Sequence, residues 1–411
     1  ASGGKRFWKA AARYAVTPFT QQDHAYMARA LHLAERGLYT TAPNPRVGCV
    51  IAREGEIVGE GYHQRAGEPH AEVHALDDAG ERASGATAYV TLEPCSHTGR
   101  TGPCALALHQ AGIRRVVVAM IDPNPQVSGQ GIQMLHHAGV TVDVGLLEED
   151  ARRLNPGFVS RMERRRPFVR LKMAMSLDGR TAMGSGESQW ITGPKARRLV
   201  QQLRARSSAI LSGVESVIMD DSRLTVRSAE LGLADADEIV RRQPLRVILD
   251  THLRLPLAAA CLMAPGRTLI VTTPSGSPEK RAKLEQAGAK VQVLPAGEDG
   301  RVELAGMLSW LAEHEKINEL LVETGATLSG ALLDADLVDE MHFYMAPTLL
   351  GGDARGLFNL SGIARMADQR QLTIHDIRAV GRDWRIIASP VTQGLSLKDS
   401  DANTANQTTR L

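Results

Sequence analysis

At 411 residues the chain is longer than one hydrophobic core usually supports, so two domains of ordinary size are expected. Apolar residues at 43% and charged residues at 23% are ordinary for a globular protein, and no apolar run is long enough to span a bilayer, so a membrane span is excluded and no membrane partner is expected. With 48 basic against 46 acidic side chains, no single-signed field for gathering nucleic acid is expected, and small-molecule partners are favoured.

Four cysteines in so long a chain make no disulfide framework, which points to a reducing cytoplasm. Residues 1–20 include Lys5, Arg6, Lys9 and Arg13 without the continuous apolar stretch of a secretory signal, and read as leader or expression-derived sequence. From Gln21 to about Arg36, Tyr26, Met27, Ala30, Leu31 and Leu33 recur at helical spacing up to Gly37. A Pro/Asn-rich loop (Ala42 to Arg46) leads to a hairpin of Val47 to Ala52 and Ile57 to Gly61, turning at Glu54 and Gly55. A helix is expected over His70 to Ala83, a strand over Ala86 to Leu92, a helix over Cys104 to Ala111 and a buried strand over Arg115 to Ile121. This alternation predicts a layered α/β domain over residues 21–166.

The basic run Arg161 to Pro167 reads as a solvated linker at the boundary. A second α/β domain, 167–390, is expected to carry strands at Phe168 to Met175, Ala209 to Ser212, Leu245 to Asp250, Thr268 to Thr272, Glu319 to Glu323 and Glu340 to Ala346. Residues 391–411 are polar and read as a disordered tail.

The sharpest signal is His70-Ala71-Glu72 at a helix start, with Pro94-Cys95 at a strand end and Cys104 opening another helix. His70, Cys95 and Cys104 as three zinc ligands leave the metal a free position for water, as catalytic rather than structural zinc requires. Zinc lowers the pKa of such a water to about 7, and Glu72, two residues after a ligand, is placed to take its proton and pass it to a leaving amine. A fourth ligand from His63, His74 or His97 would instead close the site and leave Glu72 without a role. Cys49 and Cys261 sit in apolar segments and are expected in the core.

At these residues the sequence resembles the cytidine deaminase-like zinc deaminases, whose pattern is His-x-Glu followed by Pro-Cys-x-x-Cys. The departure is that eight residues, Ser96 to Pro103, separate the cysteines, and this longer loop resembles the riboflavin-pathway pyrimidine deaminase branch. Ala42 to Val50 and Gly59 to His63 are similar to the same branch. The resemblance implies that Asn44 and His63 touch the substrate and that Arg100, with Thr101, meets its ribosyl phosphate. A guanidinium offers phosphate paired donors.

No Gly-x-Gly-x-x-Gly follows a strand in the second half, which argues against a doubly wound dinucleotide fold. A different loop, Thr324 to Gly330, follows the strand ending at Glu323 and opens a helix, where amides and the helix dipole hold a diphosphate. Gly351-Gly352 is a weaker glycine signal of the same kind, or a turn. Leu171 to Arg180, Gly186 to Thr192, Asp220 to Arg227 and Glu323 to Gly330 resemble the reductase domain of the bifunctional riboflavin-pathway family, whose fold is that of dihydrofolate reductase. That resemblance implies NADPH contacts from Ala174, Trp190, Ser216, Asp220, Thr251, Gly325, Ala326, Thr327, Leu328, Ser329, Gly330 and Ala331. It places Lys172, Ser188, Arg204, Leu224, Arg227 and Glu323 against the substrate, with Lys172 and Glu323 the titratable pair to watch at hydride delivery.

The combined expectation is a cytidine deaminase-like three-layer α/β/α domain followed by a dihydrofolate reductase-like α/β domain. Such a chain deaminates diaminohydroxyphosphoribosylaminopyrimidine with one Zn2+ and reduces the product's ribosyl group with NADPH, as a cytoplasmic homodimer. Two rivals are a deaminase of free nucleosides or nucleic-acid bases with a non-catalytic second half, and a zinc-stabilised binding protein in which Glu72 is dispensable.

Overall fold

The computed structural model describes residues 18–96, 102–188 and 190–391, so the expected leader and tail lie almost wholly outside the described residues. The chain forms two compact units, Ala1–Pro167 with Ser309–Glu319, and Phe168–Leu308 with Leu320–Leu411. No local signal in the sequence marks residues 309–319 for the first unit.

In the first unit, α1 (Gln21–Glu35) starts at a capping box in which Thr20 Oγ1 accepts the Asp23 amide and the Asp23 carboxylate accepts the Thr20 amide. Strands β1 (Gly48–Arg53), β2 (Glu56–Tyr62), β3 (Thr87–Val90), β4 (Arg115–Val118) and β5 (Thr141–Val144) form one sheet in the order β2-β1-β3-β4-β5. The β2-β1-β3 part is antiparallel and the β3-β4-β5 part parallel.

Alternate residues of these strands feed opposite faces. Cys49, Ile51, Ala88, Val90, Val116 and Val118 pack under α2 (Ala71–Ala79), α3 (Cys104–Gln110) and α4 (Gln130–His137). Val50, Ala52, Tyr89 and Val117 pack under α1, α5 (Glu148–Leu154) and α6 (Pro156–Arg164). Each large side chain so buried contributes about 1.5–3 kcal/mol, and the result is the expected three-layer α/β/α arrangement. The expected helix over His70 to Ala83 is α2 followed by a 3-10 turn, Gly80–Ala83. The basic run expected as a solvated linker is in large part the last turn of α6, which ends where Arg165 adopts a left-handed φ of 57°.

The second unit is built on a nine-stranded sheet. Its strands are β6 (Phe168–Ser176), β8 (Ala209–Gly213), β9 (Leu245–Leu249), β10 (Thr268–Thr272), β11 (Lys290–Val293), β12 (Glu319–Val322), β13 (Glu340–Ala346), β15 (Leu372–Val380) and β16 (Asp383–Pro390). They lie in the order β11-β10-β9-β8-β12-β6-β13-β16-β15, while β7 (Arg180–Ala182) and β14 (Arg355–Gly356) pair separately. From β11 to β12 the neighbouring strands are parallel, and β15 and β16 run antiparallel at the far edge. Helices α7 (Pro194–Arg206), α8 (Val214–Asp220), α9 (Pro278–Gln286), α10 (Leu304–His314), whose residues from Ser309 on belong to the first unit, and α11 (Ala326–Asp334) complete the α/β architecture. Cys261 is buried in this unit's core and Cys49 in that of the first.

Candidate active sites

The first site is assembled by close backbone packing. A Cβ at Gly61 would stand 2.3 Å from the Ala71 carbonyl and one at Gly59 2.3 Å from that of Ala75, so β2 carries α2 directly against its backbone. His70 is the extended N-cap of α2 (φ −77°, ψ 167°), and Glu72 lies buried in its first turn. Cys104 opens α3, and Cys95 follows β3 across Thr91 to Pro94.

The donor atoms of His70, Cys95 and Cys104 all lie within 4.8 Å of one another. His70 Nδ1 is 3.3 Å from Cys104 Sγ and 3.6 Å from Cys95 Sγ. With Zn–S of about 2.3 Å and Zn–N of about 2.1 Å, a tetrahedral site has donor–donor edges of about 3.6 Å, so the donor set fits zinc. The Cys95 thiol is held well below its ordinary range by its bond with Cys104 and by His70, while that same bond and burial push Cys104 up. The Cys104 amide also donates to Cys95 Sγ at 3.3 Å. Glu72 is within hydrogen-bond reach of Cys104, and burial pushes its carboxyl up to about 7. The cluster holds three ligands among the described residues. Both ring nitrogens of His63 are engaged elsewhere, and His97 lies outside the described residues.

Sequence reasoning passed over Glu93. Its buried carboxylate accepts the amides of Gly129 and Gly131 at 2.9 Å, Asp122 at 3.1 Å and Ile132 at 3.4 Å. A Cβ on Gly131 would be 1.8 Å from the Pro94 carbonyl, so this residue of α4 seats against the Pro94-Cys95 bend. The available signal was an acid ending an apolar strand directly before Pro-Cys. Glu93→Ala removes the acceptor of these amides, and zinc is expected to leave for a chelator about ten to a hundred times more readily. NADPH oxidation by the second unit should be unchanged in the same sample.

Asn44 Nδ2 lies 3.1 Å from His63 Nε2, and His63 Nδ1 lies 3.1 Å from the Pro69 carbonyl. His63, expected against the substrate, is only 2% exposed, with Nε2 bonded to Asn44. Arg100 and Thr101 lie outside the described residues.

In the second unit a cleft of about 1010 Å³ runs along the strand ends. It brings together Ala174, Trp190, Ser216, Asp220, Thr251, Gly325, Ala326, Thr327, Leu328 and Ala331, and with them Lys172, Ser188, Arg204, Leu224, Arg227 and Glu323. Ser329 and Gly330 are not on its wall. Ser329 is wholly buried with Oγ 3.6 Å from Met173 Sδ, and a Cβ on Gly330 would meet the Asn359 carbonyl at 2.0 Å, so both face inward from α11. Gly351 belongs to a turn held by the Asp178 carboxylate, which accepts its amide at 2.8 Å, and not to the cleft.

At one end of the cleft Glu323 pairs with Arg204 (2.6 Å) and Lys172 (3.2 Å). Burial alone would raise its pKa, but Arg204 and then Lys172 hold it down to about 2. Glu323 is thus a fixed anion orienting two cations. Ser188 donates to Asp220 at 3.1 Å, Arg197 lies over the Trp190 ring at 4.7 Å, and the Gly325 amide donates to Ser216 Oγ at 3.1 Å. The size of the cleft and the α11 N-terminus at its wall fit a dinucleotide.

Two family models match this chain: "RibD C-terminal domain" over residues 167–386, and "Cytidine and deoxycytidylate deaminase zinc-binding region" over residues 20–120. The riboflavin biosynthesis protein RibD of Escherichia coli (strain K12) is 52% identical over 370 residues, spanning 88% of this chain and 98% of the relative. The chain belongs to the RibD family of riboflavin biosynthesis proteins. Its Haemophilus influenzae relative is 48% identical over 90% of this chain and 98% of its own length. The solved RibD of Acinetobacter baumannii superposes with a TM-score of 0.84 at 48% identity, over 90% of this chain and 99% of that one. A Thermotoga maritima structure described as a diaminohydroxyphosphoribosylaminopyrimidine deaminase/5-amino-6-(5-phosphoribosylamino)uracil reductase gives 0.76 at 30% identity, over 90% and 99%. As a RibD chain this protein is a bifunctional enzyme of riboflavin biosynthesis, with a zinc-dependent deaminase and an NADPH-dependent reductase. No helix among the described residues is long and apolar enough to cross a membrane.

Proposed function

We propose that the deaminase domain, residues 21–166, hydrolyses the ring amine of diaminohydroxyphosphoribosylaminopyrimidine, and that the reductase domain, 167–390, converts the product's ribosyl group to ribityl. The observation carrying the first half is the meeting of His70, Cys95 and Cys104 beside the buried carboxyl of Glu72. Zinc held by those three residues supplies a Lewis acid that acidifies water. Glu72 takes one proton from the water and hands it to the ring nitrogen, then carries the second, from the hydroxyl now on the ring carbon, to the amine as the carbon–nitrogen bond breaks and ammonia leaves. Asn44, steadied by His63, hydrogen-bonds the substrate, and Arg100 with Thr101 receives its phosphate.

In the reductase, Gly325 to Leu328 at the α11 N-terminus would hold the diphosphate of NADPH, which would supply the hydride. Ala174, Trp190, Ser216, Asp220, Thr251 and Ala331 line the cofactor, while Ser329 and Gly330 support that helix from behind. Lys172, fixed by Glu323, faces the sugar carbon that accepts hydride, and Arg204 and Arg227 meet the substrate phosphate, with Ser188 and Leu224 beside them.

The cytoplasmic homodimer belongs to the same reading. It is supported by the unpaired thiols of Cys49 and Cys261, with Cys95 and Cys104 kept for zinc, and by the exposed row of Leu372, Ile374 and Ile377 on edge strand β15.

Ammonia release and NADPH oxidation followed together on the phosphoribosylaminopyrimidine test the assignment. Stripping zinc with a chelator is expected to stop ammonia release while leaving NADPH oxidation intact when the deaminated intermediate is supplied. Zinc-loaded protein that forms neither product overturns the substrate assignment and favours a nucleoside or nucleic-acid base.

A further inference from the structure

We infer that Arg254 distinguishes NADPH from NADH by receiving the 2′-phosphate of the adenosine ribose, an inference that rests on the cofactor lying along the second-unit cleft as proposed above. The two nucleotides differ only in that phosphate. Its receptor must therefore be a cation on the cleft wall, about one ribose away from the diphosphate, and a guanidinium suits it because paired donors match phosphate oxygens.

The sheet supplies the ruler. With the diphosphate at Gly325, just beyond the end of β12, the neighbouring strands on one side are β8 and then β9, all parallel. At about 4.8 Å per strand, the loop after β9 lies about 10 Å away. On the other side of β12 stands β6, which carries Lys172 at the substrate end. Arg301, another cation on the cleft wall, lies eight residues past the end of β11, the edge strand and the one farthest from β12 on this side.

The loop after β9 is built to present Arg254. Asp250, wholly buried, accepts the amides of Arg254 and Leu255, each at 2.8 Å, and Leu253 takes a left-handed φ of 55°. The Thr251 carbonyl is tied down by the Thr272 hydroxyl at 2.9 Å. Thr251 and Arg254 both line the cleft, as does Glu215, which pairs with Arg254 at 2.8 Å. Arg254 is thus a half-exposed cation kept in place by a carboxylate that a phosphate dianion displaces. The ribose hydroxyl of NADH leaves the ion pair intact.

The test is direct binding, by nucleotide fluorescence or calorimetry, of NADPH and NADH to the full chain and to its Arg254→Gln and Arg254→Lys variants. Arg254→Gln is expected to weaken NADPH about tenfold to a hundredfold, to leave NADH unchanged and to lose competition by 2′-phospho-ADP-ribose to the same degree. Arg254→Lys keeps the charge without the paired donors and should lose less. Equal weakening of both nucleotides, or undiminished preference for NADPH in Arg254→Gln, overturns the inference while leaving the cleft reading intact. Native protein that binds neither nucleotide overturns both.

Discussion

Glu72→Gln is expected to slow ammonia release by a factor between about a hundred and ten thousand, with zinc still bound and NADPH oxidation of the supplied intermediate unchanged. The substitution keeps the side chain's shape in a site where Glu72 is only 3% exposed, so packing around α2 is preserved. What is lost is a carboxylate able to take a proton from water and release it to the leaving amine. Metal analysis and the two assays on one preparation separate the outcomes. Full deamination by Glu72→Gln would make the carboxyl dispensable and overturn its proton-transfer role. Loss of zinc along with activity would show that Glu72 supports the ligands through its contact with Cys104 and leave its proton-transfer role undemonstrated.

The largest expected stability effect lies in the reductase. Glu323 sits between Arg204 and Lys172, whose side chains are 12% and 19% exposed. Glu323→Ala leaves two largely buried cations without their anion, a loss expected to cost about 3–5 kcal/mol. The readout is the unfolding transition followed by a probe in the second unit, since the two units need not unfold together. The same carboxylate ties stability to pH. Its folded pKa, about 2, lies below the ordinary 4.5, so its contribution is complete above about pH 4.5 and is lost as pH falls toward 2. Glu323→Gln removes that titration, so its stability should fall less steeply than that of the native chain between those pH values. Parallel curves would mean that folding does not lower the pKa of Glu323. Reductase turnover should fall in both variants, because Lys172 and Arg204 lose the group that orients them.

Local pattern made much of the fold legible. Strands β8, β9, β10, β12 and β13 are runs of Val, Ile, Leu and aromatic residues buried on both faces, and such runs stand out from their surroundings. Edge strand β15 went unread because nearly every residue of it is exposed, so no alternation marks it. At four residues β11 offers too short a period. The short helices α5 and α6 depend on packing against the first sheet more than on their own sequence.

What the sequence by itself determined was the chemistry that needs particular atoms at particular steps along the chain. His70 and Glu72 on one helix start, and Cys95 and Cys104 at a strand end and a helix start, follow from residue type and spacing because zinc accepts few ligands and a proton carrier must sit beside them. Only the tertiary structure decided what depends on contacts between distant segments. It buried His63 against Asn44, placed Ser329 and Gly330 behind the cleft wall, and gave Glu93 four amides from a segment 29 to 39 residues on. It also brought Arg254 onto the cofactor cleft. In sequence Arg254 is indistinguishable from any solvated arginine, because the buried carboxylate that aims it and the strand order that sets its distance from Gly325 are properties of the folded sheet.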